Sequence, residues 1–194
     1  MTKRLTAGSL VLLGTLLWLP AAMAQQSGYT LVFGVPASYE FTKDETTNQA
    51  PPAKSPSGLR VMLDTPVHVG LGFASYQSGF AEQTVPWAGR DIEYSLLELQ
   101  YTIPIGVVLL GIGAGVGSAE FTPERATFGP IVQDFKKSDA KEWFLMLGAM
   151  LGKSWDVRAS LHGLVINAEL ETNGMPSTGD LGAFLWTLGF GYHL

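Results

Sequence analysis

Ser160, His162 and Glu169 are the residue types of a hydrolase: a nucleophile, a base and a carboxylate to orient it. Ser160 and His162 would share a face of a strand, because successive side chains alternate. Neighbours on one face are nonetheless poorly aimed for proton transfer, and no Gly-x-Ser-x-Gly elbow exposes the serine. The run Leu110-Gly-Ile-Gly-Ala-Gly-Val-Gly-Ser118 invites a nucleotide reading. It fails on spacing, since a dinucleotide fingerprint needs glycine at positions one, three and six. The sixth residue is Val116 counted from Gly111 and Ser118 counted from Gly113. Glycine at every second position instead clears one face of a strand, beside a strand carrying Phe144, Met146 and Met150 on its inward side. Small beside large is how a narrow barrel is filled. The chain has no cysteine, which removes disulfides, thiolate metal sites and cysteine nucleophiles together. No catalytic residue, metal site or cofactor is expected.

What remains is a polar set that alternation places on one side of several strands: Arg60, Asp64, His68, Glu98, Gln100, Arg158, Ser160, His162 and His193. The elements that position it are clearest at the end of the chain. Trp186, Leu188, Phe190, Tyr192 and Leu194 alternate with Thr187, Gly189, Gly191 and His193. One face is large and apolar, the other small or polar, as for a strand with one side in a greasy medium. Similar alternation begins at Tyr29-Thr-Leu31-Val-Phe33-Gly-Val35 and recurs from Leu59, Val67, Asp91, Leu110, Trp143 and Val157. Parity changes at Leu96-Leu97, which predicts a bulge there. Thr65-Pro66, Ile103–Gly106 and Gly152–Asp156 read as short turns. Long loops are expected at about 39–58, 77–90, 119–141 and 167–180.

Eight strands joined by alternating long and short connections predict an all-β, eight-stranded antiparallel up-and-down transmembrane β-barrel. The polar set then faces the lumen. Two arginines balance two acids, with Asp64 and Arg158 low in the barrel and Glu98 and His162 nearer its middle. Charge in a low-dielectric interior must be paired, so a packed ion-pair network is the expectation. A proton or small-solute path is the alternative. No Lys, Arg, Asp or Glu falls on the apolar faces. A soluble sandwich or lipocalin-like barrel would carry the opposite polarity. Tyr29, Tyr101, Trp155 and Tyr192 fall at one set of strand ends and Trp143 and Trp186 at the other, as interfacial aromatic girdles do.

The chain opens Met1-Thr-Lys3-Arg4, followed by an apolar run from Leu10 to Leu19 and Pro20-Ala-Ala22-Met-Ala24. This is the pattern of a signal peptide at 1–24, too short in its apolar core for the ~20 residues of a spanning helix. Residues 25–194 would then be the barrel. They hold ten basic residues against seventeen acidic, and so acidic a balance argues against nucleic acid.

In signal peptide, loop alternation and the ending Phe190-Gly-Tyr192-His-Leu194, the chain resembles the small eight-stranded bacterial outer-membrane proteins typified by OmpX, the OmpA membrane domain and OmpW. The resemblance implies export through the periplasm to a Gram-negative outer membrane. It implies contact with membrane lipid and lipopolysaccharide, and a monomer. Phe190, Tyr192 and Leu194 would be the signal read by the barrel-assembly machinery, with Leu194 where the family usually ends in Phe. Such proteins serve as surface or structural proteins acting through their loops, as narrow porin-like channels, or as lipid A-modifying enzymes. Deacylases among them carry His-x-Ser-Asn, whereas His162 here is followed by Gly163-Leu164-Val165. A surface or envelope-stabilising role is the expectation, a narrow channel the alternative and the enzyme third.

Overall fold

The computed structural model describes residues 28–42, 50–81, 90–128 and 130–194; the expected signal peptide at 1–24 lies outside them. The strands are β1 (Thr30–Phe41), β2 (Ser57–Asp64), β3 (Val69–Gly79), β4 (Asp91–Ile105), β5 (Val108–Thr122), β6 (Arg125–Phe128), β7 (Ile131–Phe135), β8 (Ser138–Leu151), β9 (Trp155–Thr172) and β10 (Met175–His193). Eight of them form an antiparallel ring, β1-β2-β3-β4-β5-β8-β9-β10, closed by β10 against β1 from Thr30↔His193 to Phe41↔Ala183. The expected barrel is therefore present, and β6–β7 is an extra hairpin that docks on the upper end of β9.

Two of the expected loops are corrected. Residues 167–180 are mostly strand: β9 and β10 continue to a two-residue turn at Asn173-Gly174, with φ of 51° and 80°. Asn-Gly supplies the left-handed pair that a tight hairpin turn requires. Residues 119–141 hold the end of β5, the β6–β7 hairpin and the start of β8. At 18 and 19 residues, β9 and β10 far exceed the ~9–11 residues needed to cross a bilayer, so they project beyond it.

The expected bulge is also corrected. β4 pairs without a shift from Tyr101 to Asp91, so no bulge lies at Leu96-Leu97. The shift lies between Pro36 and Ser38 in β1, where proline cannot donate to the ladder. Beyond it, Tyr39 and Phe41 turn inward. In β4, Ile92, Tyr94, Leu96, Glu98, Gln100 and Thr102 all face inward. Parity is constant along this strand, and it is the polarity that inverts. Near the short turns the outside is Leu, Ile and aromatic and the inside is charged. Toward the long connections the outside is Glu93, Ser118, Glu120, Asp139 and Glu169, and the inside is Tyr94, Leu96, Leu164 and Leu185. The inversion follows the medium. Where the wall faces hydrocarbon, apolar groups go out; where it faces water, they go in.

On β5, Gly111, Gly113 and Gly115 lie under Met146, Phe144 and Glu142 of the paired β8. This is the small-beside-large packing that the glycine run predicts. A Cβ on Gly113 would overlap the Phe144 ring and the Leu99 carbonyl. Gly113→Val should cost about 1–3 kcal/mol from overpacking, read as a lowered temperature for loss of the compact gel species. Gly179→Ala, which meets nothing within 4 Å, should leave that temperature unchanged.

Candidate functional site

The lumen is lined by inward positions of all eight strands of the ring, and its side chains fall into three groups. At the short-turn end, Arg158 on β9 donates from Nη1 to Asp64 Oδ2 on β2 at 2.6 Å. From Nε and Nη2 it donates to Asp156 Oδ1 and Oδ2 at 2.7 and 3.0 Å. His193 Nε2 lies 3.1 Å from Asp156 Oδ2, and its Nδ1 lies 3.0 Å from the Thr30 hydroxyl. Two charge-assisted bonds to one carboxylate and a third across the lumen fix the guanidinium in a single orientation.

At mid-depth, Arg60 on β2 donates from Nε to Glu98 Oε2 on β4 at 2.5 Å and from Nη2 to Gln100 Oε1 at 3.3 Å. Its guanidinium lies 4.5 Å from the centroid of Phe144, whose ring stacks on His162 at 4.9 Å. His162 Nδ1 is 3.0 Å from Glu142 Oε2, and Nε2 is 3.1 Å from the Thr187 hydroxyl. Arg60, Glu98, Glu142 and His162 are all buried.

Above them the interior is aromatic. Tyr39 and Tyr94 join their hydroxyls across the barrel, Phe41 stacks on Phe80 at 4.2 Å, and Phe121 meets Phe135 at 4.8 Å. Arg90, wholly buried, sets its guanidinium 3.9 Å from the Phe135 ring centroid. It donates to the carbonyls of Pro123 and Gln133 at 3.0 and 3.3 Å. It thereby pins the β6–β7 hairpin over the mouth.

Of the polar set read from the sequence, Arg60, Asp64, Glu98, Gln100, Arg158 and His162 join these groups; His193 joins through Asp156. Asp64 and Arg158 are low, and Glu98 and His162 are higher. His68 is a correction: it sits in the Thr65–His68 turn at φ 66°, not on a strand. Ser160 is inward and buried, but both ring nitrogens of His162 are committed elsewhere and Glu169 is exposed on the upper extension. No triad forms. The charge balance is also corrected. Asp156, in the expected Gly152–Asp156 turn, and Glu142, between the expected loop at 119–141 and the strand from Trp143, are both inward, so four carboxylates accompany Arg60 and Arg158. Alternation counted onward from Arg158 and Phe144 would have found both. Arg90 had no such signal.

The outer surface carries Tyr29, Tyr101, Trp143, Trp155, Trp186 and Tyr192, each 40–50% exposed. Trp155 packs on Tyr192 at 4.8 Å and on Phe190 at 6.0 Å. Phe190, Tyr192 and Leu194 lie outward on the closing strand or just past its end.

No protein-family model matches the sequence, and no curated protein is significantly similar to it. Solved structures are. The crystal structure of Neisserial surface protein A superposes at a TM-score of 0.57 with 8% identity, covering 87% of this chain and 97% of that one. Outer membrane protein AlkL, determined by solid-state NMR in DMPC bilayers, gives 0.55 with 14% identity over 99% and 96%. The NMR structure of the E. coli outer membrane protein W gives 0.52 with 12% identity over 89% and 100%. Ring order, inverted polarity and these likenesses together establish the fold of this chain as that of the small eight-stranded outer-membrane β-barrels.

Proposed function

We propose that the protein is a non-enzymatic surface protein of the bacterial outer membrane, with a closed lumen and a role carried by the hairpins that project from it. The observation that carries this is the set of bonds across the barrel. Arg158 on β9 reaches Asp64 on β2, Arg60 on β2 reaches Glu98 on β4, and Tyr39 on β1 reaches Tyr94 on β4. An eight-stranded barrel has room for little besides its own side chains, and here they bond to one another from the turn end to the aromatic end. The functional surface is then the extension of β8–β9–β10 with the β6–β7 hairpin. Its outward residues, among them Asp139, Lys141, Glu169 and Asp180, suit the phosphates and bridging cations of lipopolysaccharide. The barrel-assembly machinery would be the partner during biogenesis, engaging Phe190, Tyr192 and Leu194.

A narrow route for small solutes is the second reading, and one feature favours it. β1 and β2 pair over five residues only, Thr30–Gly34 against Arg60–Asp64. Above that seam, among the described residues, the ladder between them does not continue, beside the apolar interior at Tyr39, Phe41 and Tyr76. Planar-bilayer recording and liposome uptake separate the readings. The closed barrel gives ionic current no greater than a lipid blank and no uptake. Unitary conductance, or uptake of a small apolar dye that the lipid blank lacks, would overturn it.

A further inference from the structure

Among the described residues, the low and middle levels of the inner wall carry four buried carboxylates, Asp64, Glu98, Glu142 and Asp156, against two guanidiniums, Arg60 and Arg158; the third buried guanidinium, Arg90, lies at the aromatic end beside Phe135. With the histidines counted as neutral, these two levels are two positive charges short, and charge withdrawn from water requires compensation. At mid-depth both acids are under-satisfied. Glu98 and Glu142 each use Oε2, toward Arg60 and His162, while Oε1 of each is buried without a hydrogen-bond partner. A carboxylate oxygen of Glu98 also lies within 4.8 Å of one of Glu142. Two buried carboxylates this close repel unless a cation or a proton offsets their charge.

His162 completes the set. One ligand atom from each of Glu98, Glu142 and His162 can be chosen so that all lie within 4.8 Å of one another. The imidazole is oriented for ligation. Ligation takes the tautomer in which Nε2–H donates to the Thr187 hydroxyl and Nδ1, on the Glu142 side, carries the lone pair; metal-binding histidines are buttressed through the second nitrogen in this way. Tyr76, buried, sets its ring edge-on to His162 at 6.0 Å from the aromatic side.

We propose that Glu98, Glu142 and His162 form a binding site for one first-row divalent cation, at the level where the polar interior meets the aromatic one. Two carboxylates and one imidazole suit Zn²⁺ and its neighbours better than Ca²⁺ or Mg²⁺, which favour all-oxygen sets. Metal–ligand distances of about 2.0–2.2 Å mean that binding draws the three side chains inward. Nδ1 of His162 exchanges its contact with Glu142 for the metal. One divalent cation also offsets the two charges missing from the low and middle levels. The site goes beyond the surface role proposed above and does not depend on it.

The test is metal content after refolding. The barrel is unfolded in the presence of chelator and refolded in detergent with Zn²⁺ or Co²⁺, then passed through a desalting column. About one ion per barrel is expected, with visible ligand-field absorption for Co²⁺, release to EDTA over minutes or longer, and a higher unfolding temperature with Zn²⁺. Glu142→Gln and His162→Gln should weaken binding at least tenfold, whereas Asp156→Asn, at the other end of the lumen, should retain it. Wild-type barrel that holds no metal overturns the proposal and assigns the two missing charges to protons. Binding that survives Glu142→Gln and His162→Gln also overturns it, by placing the ion on surface acids. If those variants do not refold, the wild type decides: metal stripped by EDTA within the mixing time marks surface acids and overturns the buried site.

Discussion

Replacing Arg158 with Met will destabilise the barrel by about 3–5 kcal/mol, the cost of stranding buried charge when one partner is removed. The guanidinium is buried and makes three bonds, two to Asp156 and one to Asp64. Met fills comparable volume, so the loss is electrostatic rather than a cavity. Without Arg158 two carboxylates share the low end of the lumen, and His193 faces one of them, Asp156. Denaturant titration of barrels folded into vesicles would measure the change. The companion variant Arg158→Met/Asp64→Asn/Asp156→Asn removes the charge along with its partner and should recover most of the loss, because neutral replacement of a whole buried ion cluster is often nearly neutral. Arg125→Met, which breaks an exposed 3.7 Å pair with Asp134, should change stability by less than about 1 kcal/mol. A single Arg158→Met variant as stable as the wild type would show that the carboxylates are compensated by something other than this arginine.

The second large effect is on the outside. Leu147 lies midway along the outward face of β8, between Trp143 and Leu151, and is exposed. Leu147→Arg should cost about 2–4 kcal/mol, as a cation does at the midplane of a bilayer-facing wall. Ser118→Arg also adds an outward guanidinium, but in the polar collar beside Asp139 and Ser95. It should change stability by less than about 1 kcal/mol. The same titration in vesicles checks both. Equal costs would mean that the wall meets one medium along its whole height, which would remove the basis for the inverted polarity.

The barrel was legible because one repeating signal, alternation, applies wherever one face of a strand meets lipid. Leu71 and Phe73, Leu97 and Leu99, Leu145 and Leu147, and Leu188 and Phe190 all point outward as read. The register of pairing was less legible. Ile92, Tyr94 and Leu96 are as apolar as a lipid-facing row, and the sequence offered a bulge to turn them outward. In the structure the bulge belongs to β1, at Pro36–Ser38, and the β4 residues stay inside. An apolar residue records that it avoids water, and both hydrocarbon and a packed interior satisfy that requirement. Which one applies depends on height above the membrane, a quantity fixed only when all eight strands are aligned.

The site divides in the same way. Residue type and parity alone placed Arg60, Asp64, Glu98, Gln100, Arg158 and His162 on the inner wall. They did not show that Glu142 joins them, because it follows charged residues that resembled a loop. Nor did they show that Asp156 sits a strand position inside its turn. Partner choice was the other silent feature. Arg158 meets Asp64 across 94 positions of sequence and Arg60 meets Glu98 across 38, through the stagger of strands around a closed ring. By itself, then, the sequence determined the wall: strand number, the face turned to lipid and the inventory of the lumen. Tertiary structure alone decided the contents of the lumen as a network. Pairing across a barrel depends on shear and closure, which no single strand encodes.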